Sequence, residues 1–144
     1  MKMLVWNDAF SVGLKAFDID HRVMILTINA LYRLLAEQQR EKALLTAEEL
    51  LHFTQSHIER EGEFLRQIGY PEFERIRHGQ TGCIKFLHDF CAAIKEGRPN
   101  ILLMTEQLMD GMIDYLVDAD LRFKSFVEYF GHANSAALSV AARF

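Results

Sequence analysis

The sequence predicts an all-α fold: an antiparallel up-down four-helix bundle with an N-terminal arm and a short C-terminal tail helix. Three observations carry this. Apolar residues recur at helical spacing through four segments, and no segment alternates as a half-buried strand would. The only two prolines, Pro71 and Pro99, each follow a glycine by two residues. Gly69-Tyr70-Pro71 and Gly97-Arg98-Pro99 therefore each read as a helix C-cap followed by a stop. Long amphipathic helices with short connections bury their stripes against one another as an up-down bundle. With 144 residues, half of them apolar, the chain forms one domain over 1–144 and needs no disulfide or metal to build a core.

The arm covers residues 1–17. The first helix is expected over 18–40, with Met24, Ile25, Ile28, Leu31 and Leu35 on its stripe. The second is expected over 47–68, opened by the capping box Thr46-Ala47-Glu48-Glu49 and striped by Leu50, Phe53, Phe64 and Ile68. The third is expected over 72–96, with Ile76, Cys83, Leu87, Phe90 and Ile94 inward. The fourth is expected over 101–130, capped by Asn100, ended by Gly131 and striped by Met109, Ile113, Leu116, Phe123 and Val127. Residues 135–144 are expected as a weaker tail helix.

Composition narrows the function. Sixteen basic against twenty acidic residues leave a net charge of −4. Such a chain lacks the basic face that nucleic acid or an anionic membrane surface requires. No apolar run reaches the roughly 18–20 residues that span a bilayer. The start, MKMLVWNDAF, is no secretory signal, so the expected location is cytoplasmic. Cys83 and Cys91 are eight apart on one helix, about 12 Å along its axis, too far for a disulfide. They lack the C-x-x-C spacing of a redox or zinc site and are expected as buried thiols.

The stripes are most informative where polar residues break them. His21 precedes Met24, Ile25 and Ile28 by three, four and seven residues and faces the core. His57 and Glu61 are four apart within the stripe Phe53–Phe64–Ile68, and Asp120 lies between Leu116 and Phe123. Two histidines and two carboxylates from three helices aim at one interior. Buried unpaired carboxylates cost several kcal/mol, and no Lys or Arg sits on these stripes to offset them. A metal ion would, and imidazole with carboxylate suits iron, zinc or manganese.

These residues resemble the hemerythrin family, in particular its single-domain bacterial members, over nearly the whole chain. Trp6 and Val12-Gly13 resemble its N-terminal arm. Asp18-Ile19-Asp20-His21, with Asn29 eight residues on, is similar to D-x-Q-H…N, with Asp20 in place of Gln. His57-Ile58-Glu59-Arg60-Glu61 resembles H-F-x-x-E-E, and Gly69-Tyr70-Pro71 matches the G-Y-P turn. Residues 111–120 align with W-L-x-x-H-I-x-x-x-D. The resemblance implies a bundle enclosing two irons, held by five histidines and bridged by one Glu and one Asp, with reversible dioxygen binding.

The chain departs from that pattern at one iron. The family's third-helix histidines fall, without a gap, at Ile76 and Gln80, and its fourth-helix histidine at Tyr115. His78 could replace one of them only with a two-residue insertion, and it lies about 200° from Ile76, opposite the stripe. His52, His88 and His132 match no ligand position and are expected to be partly exposed. The resemblance then implies a reduced site of His21, His57, Glu61 and Asp120. It suits one ferrous ion with open positions, and Gln80 and Tyr115 serve as hydrogen-bonding neighbours or, for Tyr115, as a ligand.

The sequence reading is a hemerythrin-like non-haem iron protein, not expected to be an enzyme, that binds or senses dioxygen, nitric oxide or a related small ligand. Two alternatives stay open. One is a metal-free interaction module with a protein partner or a second copy of itself, using residues 123–130. The other is an intact di-iron protein in which Tyr115 and His78 are ligands. An enzyme using one iron has the least support, because no substrate-pocket signature is present.

Overall fold

A computed structural model describes residues 3–119, 122 and 124–133. A short 3-10 turn at Asp8–Phe10 precedes α1 (Lys15–Ala36), α2 (Arg40–Gln67), α3 (Phe73–Glu96), α4 (Ile101–Ala119) and α5 (Ser125–Ala133). No strand occurs among the described residues. The four long helices pack in a closed ring, α1 on α2, α2 on α3, α3 on α4 and α4 on α1. That is the expected four-helix bundle. The expected tail helix and Asp120 lie outside the described residues.

Helix ends follow backbone chemistry. Gly69 and Gly97 take left-handed φ values of 68° and 69°, open to glycine without a Cβ penalty. Beyond them the Tyr70 amide reaches Leu65 O at 2.9 Å and the Arg98 amide reaches Ala93 O at 3.0 Å, completing two Schellman turns. A third turn of the same kind closes α1, with Gln38 at φ 59° and the Gln39 amide on Leu34 O at 2.8 Å. No glycine marks it, so α1 stops at Ala36 and not at residue 40. The capping box at Thr46 is also not a helix start. α2 begins at Arg40, and the Thr46 hydroxyl donates to Lys42 O within the helix at 2.9 Å. Of the expected fourth helix, α4 covers 101–119 and α5 begins at Ser125, with π-type turns at Arg122 and Lys124, while 120, 121 and 123 lie outside the described residues. α5 runs past Gly131 to Ala133.

Among the described residues the core divides into three regions. The largest fills one end of the bundle with Ile28, Leu31, Leu50, Leu87, Phe90 and Leu108. A second packs Val12, Phe17, Phe64, Leu65 and Tyr70 near the α2–α3 turn, with Phe126 and Val127 of α5 against it. A third joins Leu4 of the arm to Ile25 and Leu116. The arm is pinned by side chains. Asn29 accepts from the Leu4 amide at 3.0 Å and donates to its carbonyl at 2.7 Å, while Asp18 accepts from the Val12 amide at 2.8 Å. On α3 the inward positions are Gln80, Leu87, Phe90, Ala93 and Ile94. Cys83 is exposed and Cys91 half-buried, so neither is the buried thiol expected. Gln80 takes the inward line, and Cys83 turns toward an opening between α3 and α4.

Candidate metal site

Between the first two core regions lies a polar cluster. His21 comes from α1 and His57 and Glu61 from one face of α2, one helical turn apart. All three are buried, at 0%, 2% and 1% exposure. His21 Nε2 is 3.1 Å from His57 Nε2, His57 Nε2 is 2.9 Å from Glu61 Oε2, and His21 Nε2 is 3.8 Å from Glu61 Oε2. Three of the four residues expected from sequence are thus brought together, and Asp120 falls outside the described residues. Among the described residues they are the group whose donor atoms lie close enough to hold one ion.

The arrangement fits a cation. Glu61 Oε2 lies 2.9 Å from His57 Nε2 and 3.8 Å from His21 Nε2, so its carboxylate faces both imidazoles. The separations of the three atoms let one ion lie about 2.0–2.2 Å from all three, the range of metal bonds to imidazole nitrogen and carboxylate oxygen.

The surroundings orient these donors. Asp20 Oδ2 accepts from His57 Nδ1 at 2.9 Å, which presents Nε2 to the cluster. Arg60 Nη2 lies 2.6 Å from the same Asp20 oxygen. Asp20 therefore has an arginine beside it, from outside the apolar stripe. Glu61 Oε1 faces the other way, accepting from Gln80 Nε2 at 3.0 Å and from the Tyr115 hydroxyl in a very short contact. Gln80 and Tyr115 are thus hydrogen-bonding neighbours of Glu61. His78 is exposed on α3 and stands apart from the cluster, as do the exposed His52 and His88.

Burial and charge set the protonation states. Burial holds His21 down to about 4, against the opposing pull of Glu61. Burial acts on His57 in the same sense, but hydrogen bonds and charge from Glu61 and Asp20 outweigh it and raise the value. Burial would raise Glu61, yet the hydrogen bond and charge of His57, with His21 and Tyr115, hold it below the usual carboxylate range. Burial and the Glu61 charge push the Tyr115 phenol well above 10, so it stays a donor. Asp20 is the residue that sequence reasoning undervalued. In the sequence it stands only where the resemblance has Gln, and its bond to His57 on another helix leaves no local signature.

A four-helix bundle with an interior cluster of two imidazoles and a carboxylate, drawn from its first two helices, is an arrangement that could hold a metal ion. The comparisons narrow the class. The chain is 32% identical over 71 residues to a bacteriohemerythrin of Stenotrophomonas maltophilia (strain R551-3), covering 49% of this chain and 46% of that protein. It is 27% identical over 119 residues to a bacteriohemerythrin of Clostridium acetobutylicum, covering 80% of this chain and 88% of that one. The first match thus spans under half of its relative's length. The chain is hemerythrin-like. No family model matches it, and no solved structure does.

Proposed function

We propose that this protein is a non-haem iron protein with a reduced, mononuclear site, in which His21, His57 and Glu61 are ligands and Asp120 completes the set, and that it binds or senses a diatomic ligand. The observation that carries this is the division of Glu61. Oε2 belongs to the histidine side, whereas Oε1 is held by Gln80 and Tyr115. A carboxylate that bridges two metals through its two oxygens needs a lone pair free on each. Here one is saturated by hydrogen bonds, which favours one ion over two.

Ferrous iron held by two imidazoles and a carboxylate supplies affinity for dioxygen or nitric oxide. The chain supplies the rest. Asp20 fixes the His57 ring, Phe17 packs its edge against the same ring at 5.5 Å between centroids, and the buried wall keeps bulk water from the donors. Bacteriohemerythrin relatives support iron as the metal.

The test is metal stoichiometry after anaerobic reconstitution with ferrous iron, followed by an absorption spectrum in air. One iron per chain, lost in His57→Ala, is the expected result. Two irons with an oxo-bridged spectrum would overturn the mononuclear reading. No bound iron would leave a hemerythrin-like bundle acting without metal.

A further inference from the structure

We propose that the pit between α3 and α4, next to the His–Glu cluster, binds a small, mostly apolar, uncharged organic molecule. The cavity has a volume of about 510 Å³. That lies within the roughly 300–1,000 Å³ of small-molecule sites and far exceeds what a diatomic ligand needs. Its walls come from all four helices: Met24 of α1, Ile58 of α2, Phe86 of α3, and Leu108 and Met112 of α4. Its floor is polar, formed by buried Thr54, His57 and Gln80 beside half-buried Tyr115. An apolar wall over a few convergent polar groups is the usual build of an organic-ligand site.

Two glycines keep it open. Gly79 on α3 and Gly111 on α4 line the pit, and a Cβ placed on either meets nothing within 4 Å. Glycine inside a helix costs about 0.5–1 kcal/mol relative to alanine. No crowding requires it at either position. What glycine gains there is space.

The shape and charge select the occupant. The floor rests on side chains of the bundle interior, which a partner helix lying across the surface could not reach. No Lys or Arg lines the cavity to receive an anion. Of its two carboxylates, Asp118 is engaged by Arg122 at 2.8 Å and Arg75 at 3.8 Å. At the floor, Gln80 and Tyr115 already donate to Glu61. An uncharged molecule with a largely apolar body matches these walls.

The test uses N-phenyl-1-naphthylamine, a neutral fluorophore, with the full chain in chelator, so that failure of iron binding would leave this result untouched. Saturable emission at one dye per chain is expected. Gly79→Leu and Gly111→Leu should each weaken binding at least tenfold. Their melting temperatures should hold or rise, because a helix interior gains from losing glycine. Gly82→Leu, on the same helix outside the pit and also in open space, should stay within twofold of the wild type. Absence of saturable binding, or equal binding by Gly79→Leu and Gly111→Leu, would overturn the proposal. A wild-type dimer that Gly111→Leu splits, seen by light scattering, would overturn it in favour of a second copy as the occupant.

Discussion

The His21 ring makes a quantitative prediction for the metal-free protein. In the fold its value is about 4, against an ordinary 6.5. Burial is the main cause, and His21 Nδ1 has no hydrogen-bond acceptor for a second proton. A group depressed in the folded state contributes stability that is present above its unfolded value and is lost as pH falls below it. Between pH 7.5 and 4.5 this one ring should remove about 2.5 kcal/mol. Its neighbours leave the window readable. His57 is raised, so its contribution changes above pH 6.5 and is constant below. Glu61 is lowered, so its contribution fades only from about pH 4.5 downward. The assay is urea unfolding of chelator-treated protein at half-unit steps from pH 7.5 to 4.5. The midpoint should fall by about 1–2 M, most of it below pH 6.5. His21→Leu should flatten that slope. A flat wild-type profile from 6.5 to 4.5, or the same slope in His21→Leu, would refute the assignment.

Other consequences are simpler to check. Asp20→Asn removes the carboxylate behind His57 Nδ1 and should weaken ferrous or zinc binding about 10–100-fold by competition titration, with little change in helix content by circular dichroism. Gln38→Gly relieves a left-handed residue at the end of α1 and should stabilise the protein by about 0.5–1 kcal/mol, seen as a higher thermal midpoint. Phe90→Ala empties a site with 0% exposure in the largest core region and should cost about 3–5 kcal/mol in denaturant unfolding.

The bundle was legible because its signals are local. Gly69 and Gly97 lie where only a left-handed residue closes the turn, and the stripe of α1 is apolar from Met24 to Leu35. The start of α2 was hidden because its first buried positions, Ala43 and Ala47, are too small to stand out as an apolar stripe. The true signal was their spacing onto Leu50, Thr54, His57 and Glu61. The end of α1 was hidden because Gln38 does what glycine usually does. In the site, His21, His57 and Glu61 could be read because each interrupts an apolar run. Asp20 could not, since its role depends on a ring 37 positions away. Cys83 was misplaced because Gln80, a polar residue, occupies the inward line of α3 for the sake of Glu61.

The division of Glu61 between two kinds of neighbour gives the protein an optical indicator of its own. A cation drawing on Oε2 lowers the electron density at Oε1, and the Tyr115 hydroxyl that donates there loses part of its acceptor. The near-ultraviolet band of that phenol shifts with the strength of its hydrogen bond. Were a colourless ion such as zinc to occupy the cluster, tyrosine difference absorbance should report it, and Tyr115→Phe should erase the signal while leaving the three donor atoms in place.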